Sequence, residues 1–193
     1  MIEVVSLAAR FALAQVFLLA GLSKASAPER FAQTLGTYHV LPERWARPVA
    51  LWLPRIEVTS GLLLALGLAQ ALFAGAVFLL LVAFTGAILV NLVRGVEMEC
   101  GCFGVGRGGR IGPPSIARNI ILIAAAIVVA KWPTSVLAID LPSRVEGSLR
   151  TAEGLAVVFS TTIAMTLILL LQEALQLRRT VAAVGERTRG DTS

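Results

Sequence analysis

Five apolar stretches, at residues 2–23, 48–68, 69–93, 115–132 and 154–177, recur along this 193-residue chain. Each is close to the ~20 residues that a helix needs to cross the hydrocarbon core of a bilayer. Apolar residues make up 56 % of the chain, against roughly 45–50 % in ordinary soluble domains, and the mean hydropathy is +0.81. The expected fold is therefore all-α: an integral membrane helical bundle of five transmembrane helices, four forming the core and one C-terminal to it. The stretch at 115–132 is the shortest clean run, because Arg118 and Asn119 interrupt its start. The first stretch has no basic segment before it and no small-residue cleavage site after it, so it reads as a retained span rather than a signal peptide.

A net charge of +5 and a pI near 10.2 raise the question of nucleic acid. The basic residues, however, flank the apolar stretches, where membrane orientation and lipid headgroups account for them. No nucleic-acid partner is expected; the bilayer is. No repeat of 20–50 residues interrupts the pattern. The chain divides into a four-helix membrane domain at 1–132, a connection at 133–153, a fifth span at 154–177 and a basic tail at 178–193.

Connections between spans differ in kind. The segment 24–47 carries Pro28, Tyr38, His39, Pro42 and Trp45, long enough for a short interfacial helix with aromatic anchors. The turn at 67–70 is tight, which makes the second and third spans a hairpin, and Gly67, Ala71 and Gly75 at four-residue spacing would let helices approach closely. Parity then fixes sidedness within the chain. The connections after the first and third spans lie on one membrane face, so Lys24 and His39 share it with Asn91, Arg94, Arg107, Arg110 and Arg118.

Three ionisable residues, Arg10, Arg55 and Glu57, fall inside apolar stretches. Charges there are costly and usually face the bundle interior, paired or lining a pathway. Counted from one face, Arg10 and Glu57 differ in depth by only ~4–5 Å at 1.5 Å rise per residue, so an Arg10–Glu57 pair is expected. Arg55 would instead snorkel toward the face that carries the cysteines, and Pro54 removes a backbone donor and could kink the second span.

The same face as Lys24 also receives the only two cysteines, in Glu99-Cys100-Gly101-Cys102-Phe103-Gly104. A disulfide needs Cα atoms roughly 4.4–6.8 Å apart, and Gly101 allows the chain to fold back within one intervening residue. Such a ring is small and strained, and strained or exposed disulfides tend to be the oxidising, labile ones. The nearby cations favour thiolate, the reactive form. Redox chemistry at Cys100 and Cys102 competes with two other readings, a structural clip and a metal site. A closed zinc site wants about four N/S ligands, and only His39 could join the two sulfurs without recruiting carboxylates, so no metal is assigned.

Read together, these residues resemble the MauE family, the methylamine-utilisation membrane proteins, within the wider DoxX-like group. The resemblance covers roughly residues 7–131. It rests on Ala20-Gly21-Leu22-Ser23-Lys24, on Tyr38 through Pro42, on Pro54, Glu57 and Gly61, on Asn91-Leu92-Val93-Arg94-Gly95, on Cys100-Gly101-Cys102-Phe103-Gly104 and on Arg118-Asn119. It implies a multi-pass protein of the bacterial cytoplasmic (inner) membrane. Such a protein would act with a thioredoxin-like, MauD-type partner in forming disulfides in an exported target, such as the small subunit of methylamine dehydrogenase. The redox dithiol would be Cys100 and Cys102, supported by Gly101, Lys24, Glu57, Arg10, Asn91, Arg94 and Arg118.

Cysteine count limits this scheme. Small helical oxidoreductases of the DsbB or vitamin K epoxide reductase kind relay electrons between two cysteine pairs, and this chain has one. A second dithiol would come from a partner. No cofactor motif is present, and a quinone, although compatible with such a bundle, has no motif calling for it. An alternative of another class is a non-catalytic membrane subunit or assembly factor with the cysteines as a clip. Sidedness divides the expectations: Lys and Arg concentrate on the cysteine face, which nominates the cytoplasm, whereas the implied role nominates the exported side.

Overall fold

The computed structural model describes residues 1–37, 42–94, 113–134, 154–164 and 166–167, and every regular element among them is α-helical. In chain order these are α1 (Ile2–Ala25), α2 (Pro28–Thr37), α3 (Glu43–Leu66), α4 (Gln70–Val93) and α5 (Pro113–Lys131), with α6 at Gly154–Ala164. α1 packs against α3 and α5, and α4 packs against α5 and α3, so the four long helices close a bundle. α2 lies on α3. It is the short helix expected between the first two spans.

The bundle core is made by Leu13, Ala14 and Phe17 of α1, Leu64 of α3, Ala74, Val77 and Leu81 of α4, and Ala126 and Val129 of α5. Leu72, Leu79, Val82 and Leu89 of α4 and Ile120, Ile121 and Ile127 of α5 remain exposed. A large apolar outer surface is the informative departure from a soluble protein, and here it is the lipid-facing side. Among the described residues, Ile2–Ala25, Arg44–Leu66 and Gln70–Val93 are long and apolar enough to cross a membrane. α5, at 19 residues, completes their bundle. Of the fifth apolar stretch, residues 154–164 and 166–167 are described, and Gln15 Nε2 donates to Thr162 Oγ1 at 2.7 Å, which places α6 beside α1.

Two glycines set the register between α1 and α3. A Cβ at Gly21 would lie 2.7 Å from Val58 Cγ2 and 2.9 Å from the Pro54 carbonyl oxygen, and one at Gly61 would lie 2.9 Å from the Ala14 carbonyl oxygen. Close approach of helices at small residues is how membrane helices gain packing without a hydrophobic force between them. The spacing Gly67, Ala71, Gly75 does not serve this purpose: Gly75 faces open space, and Ala71 is exposed. Gly67 has a different task. With φ 73° it ends α3 in the left-handed region; its N–H and that of Leu68 bond back to Leu64 and Leu63, a Schellman cap. α3 runs as one helix through Pro48 and Pro54.

Candidate functional site

The helix register decides which charges meet. With Gly21 level with Glu57, Lys24 near the end of α1 reaches the same layer, and its Nζ lies 2.5 Å from Glu57 Oε1. Both side chains are buried, with relative exposures of 2 % and 1 %. Glu57 is therefore paired, but with Lys24 and not with the expected Arg10. Equal depth for Arg10 and Glu57 required the ends of α1 and α3 to be flush. They are staggered: Arg10 lies eleven residues, about 16 Å of helix, from the level of Gly21. The first turns of α1 project past the end of α3, and α2 fills the space beyond the end of α1.

Around the pair the four bundle helices each contribute. The Lys24 ammonium sits 5.3 Å from the centroid of the Phe84 ring on α4 and 5.6 Å from that of Phe31 on α2. A cation over an aromatic face is attracted by the ring quadrupole, more so when desolvated. These rings also hold Lys24 inside, where a lysine so near a helix end would otherwise snorkel out. Arg118 and Asn119 bring α5 to the same layer, lining with Lys24, Glu57 and Phe84 a cavity of about 20 Å³. Asn119 Nδ2 donates to Thr85 Oγ1 of α4 at 3.1 Å, and Thr85 Oγ1 donates to the Leu81 carbonyl at 2.6 Å. Asn91 is fully buried at this end of α4 and donates from Nδ2 to the Ala87 carbonyl. Two buried acceptors, Glu57 Oε2 and Asn91 Oδ1, have no hydrogen-bond partner among the described residues.

At the opposite end, Arg10 is also fully buried. Its Nη1 donates to the carbonyl and hydroxyl oxygens of Thr134, at 3.4 and 3.3 Å. Gln70 clamps the same residue from the other side, donating to the Thr134 carbonyl at 2.7 Å and accepting from its N–H at 3.0 Å. Ser6 Oγ donates to the Trp132 carbonyl at 2.6 Å. This end ties the exit of α5 to the starts of α1 and α4.

Of the residues selected from sequence, Lys24, Glu57 and Arg118 thus come together, with Asn91 buried at the same end. Arg94 is exposed where α4 ends, and Arg10 belongs to the opposite end. Arg55 stands on the outside of α3 with its guanidinium 5.2 Å from the Trp52 ring centroid, one turn toward the helix start. Cys100, Gly101, Cys102 and His39 lie outside the described residues. Sequence reasoning overlooked Phe31, Phe84 and Thr85. A polar Thr85 inside an apolar run was a readable signal; a phenylalanine in such a run is not, because core, lipid face and cation partner look alike.

The family model for methylamine utilisation protein MauE matches residues 2–131, which spans all four bundle helices and the cysteine-bearing segment. The chain belongs to the MauE family. A MauE of Paracoccus denitrificans is 33 % identical over 163 residues, covering 81 % of this chain and 84 % of its own. A MauE of Paracoccus versutus is 38 % identical over 121 residues, covering 62 % and 65 % respectively. No solved structure matches. Membership gives a methylamine-utilisation context for a multi-helix membrane protein, and the MauE match places the Lys24–Glu57 layer and the Cys-Gly-Cys segment within one family unit.

Proposed function

We propose that this MauE protein is a redox component of the bacterial inner membrane, in which Cys100 and Cys102 exchange disulfides with a thioredoxin-like partner of the MauD type. In that role it supports disulfide formation in an exported protein. The observation that carries the reading is the isolated Cys-Gly-Cys, the only two cysteines of the chain, between α4 and α5. α4 ends and α5 starts at the end of the bundle where Lys24, Glu57, Asn91 and Arg118 gather. In one exchange a thiolate of the partner attacks the Cys100–Cys102 disulfide, one cysteine leaves as thiolate, and a mixed disulfide forms. The partner's second thiolate then displaces the remaining cysteine, so the partner dithiol is oxidised and this chain's pair is reduced. Because Lys24 is neutralised by Glu57, the cations left to lower a thiol pKa on this face are arginines, Arg94, Arg107, Arg110 and Arg118 among them.

Single substitutions Cys100→Ser and Cys102→Ser test this, because each leaves one thiol unable to resolve an adduct. A trapped mixed disulfide with a thioredoxin-like protein is the expected result. Full complementation by both variants, with no adduct under oxidising or reducing conditions, would overturn it and favour the assembly-factor reading. Sidedness is tested separately with cysteines introduced at Gly36 and Gly108 in a chain lacking the native pair. Both should react from one side with an impermeant maleimide, and labelling from outside matches the exported role.

A further inference from the structure

The cavity beside Lys24 and Glu57 holds a combination that packing alone does not explain. Its walls are mostly apolar, from Val16, Phe17, Ala20, Leu81, Phe84 and Leu122, yet the charged pair, Arg118 and Asn119 all open onto it. Glu57 spends Oε1 on Lys24, while Oε2 is buried and without a hydrogen-bond partner among the described residues. Leaving a buried charged acceptor unmatched carries its full desolvation penalty. An apolar cavity would stay dry, but a polar one of at least about 10–15 Å³ holds a water, and this one is about 20 Å³.

We propose that this cavity is a binding site for one hydroxyl donor, which donates to Glu57 Oε2 and accepts from a polar group of the lining. The donor is either a water or the hydroxyl head of a lipid-soluble organic molecule whose body stays outside the cavity, since about 20 Å³ admits little more than one hydroxyl. A hydroxyl donating to Oε2, beside the Lys24 N–H on Oε1, completes the carboxylate without a second cation. The site is independent of Cys100 and Cys102, so its failure and that of the redox reading are separable.

The sign of a cavity-filling substitution tests the site. In the full chain in lipid nanodiscs, Ala20→Val narrows the cavity. If it holds a hydroxyl donor, expelling it strands Glu57 Oε2, and the melting temperature falls by about 3–10 °C. In a chain carrying Lys24→Met and Glu57→Leu, nothing needs the donor, and the same Ala20→Val should leave the melting temperature unchanged or raise it. A rise in the unmodified chain, or an equal fall in both, would overturn the proposal. Xenon binding gives a second measurement that does not depend on any variant: xenon fills dry apolar cavities, so its uptake beside Glu57 in the unmodified chain would also overturn it. Phenol separates the two sources. Saturable stabilisation that Ala20→Val abolishes assigns the organic hydroxyl; no stabilisation, together with the Ala20→Val loss, assigns water.

Discussion

At the Arg10 end of the bundle, a buried cation meets the neutral oxygens of Thr134, and Gln70 and Ser6 complete a set of hydrogen bonds to backbone at the exit of α5. At the Lys24 end, a buried cation meets a carboxylate, aromatic faces and a cavity, with two acceptors left over. Both ends bury polar side chains that parity assigns to opposite membrane faces. The first end is closed, since its bonds fix where chain segments enter and leave the bundle. The second holds charge and space at the end of the bundle where α4 stops and α5 begins. Hydrogen-bonded polar networks rigidify, and at the second end a buried carboxylate beside a cavity marks a place where something else can bind.

The sharpest way to break this contrast is to remove one member of the pair. Glu57→Ala should cost about 3–5 kcal/mol in reversible SDS unfolding, because it leaves Lys24 buried without its counter-ion. Lys24→Met with Glu57→Leu should cost much less than the two single losses combined; strict additivity would mean that the pair is not a unit. At the closed end, Gln70→Leu strands the Thr134 N–H and should cost about 1–3 kcal/mol. It should do so without altering thiol trapping at Cys100 or Cys102, and a change in trapping would show that the two ends communicate. Arg10→Ala and Glu57→Ala, with Arg10 about 16 Å along the helix from the Glu57 layer, should add to within about 0.5 kcal/mol. A larger coupling would restore a connection that the helix stagger denies. Smallest of all is the exposed Arg47–Glu29 contact, 3.5 Å long with both side chains about three-quarters exposed. Arg47→Ala should change stability by less than about 0.5 kcal/mol, as surface ion pairs do.

The helical class, the helix boundaries to within a few residues, the short α2 and the shared end for Lys24, Asn91 and Arg118 were legible in the sequence. Apolar run length is set by bilayer thickness, and parity is a counting rule that needs no coordinates. The cysteine segment was legible as a motif for the same reason: composition alone isolates two cysteines in one hexapeptide. Glu57 was legible as a buried acid, because a lone carboxylate in an apolar run demands a partner.

Which partner it takes was not legible. Depth counted from helix ends pairs Glu57 with Arg10 if the helices are flush, and the stagger comes from Gly21 and Gly61, whose missing side chains let α1 and α3 interlock at one register. Of the candidate contact residues at 67–75, Gly67 serves a helix cap instead and Gly75 faces open space. Local sequence determines how long a helix is and where it must end. The offset between two helices depends on side-chain shapes from distant segments meeting at one crossing, so the tertiary structure alone decided that Lys24, and not Arg10, shares its layer with Glu57.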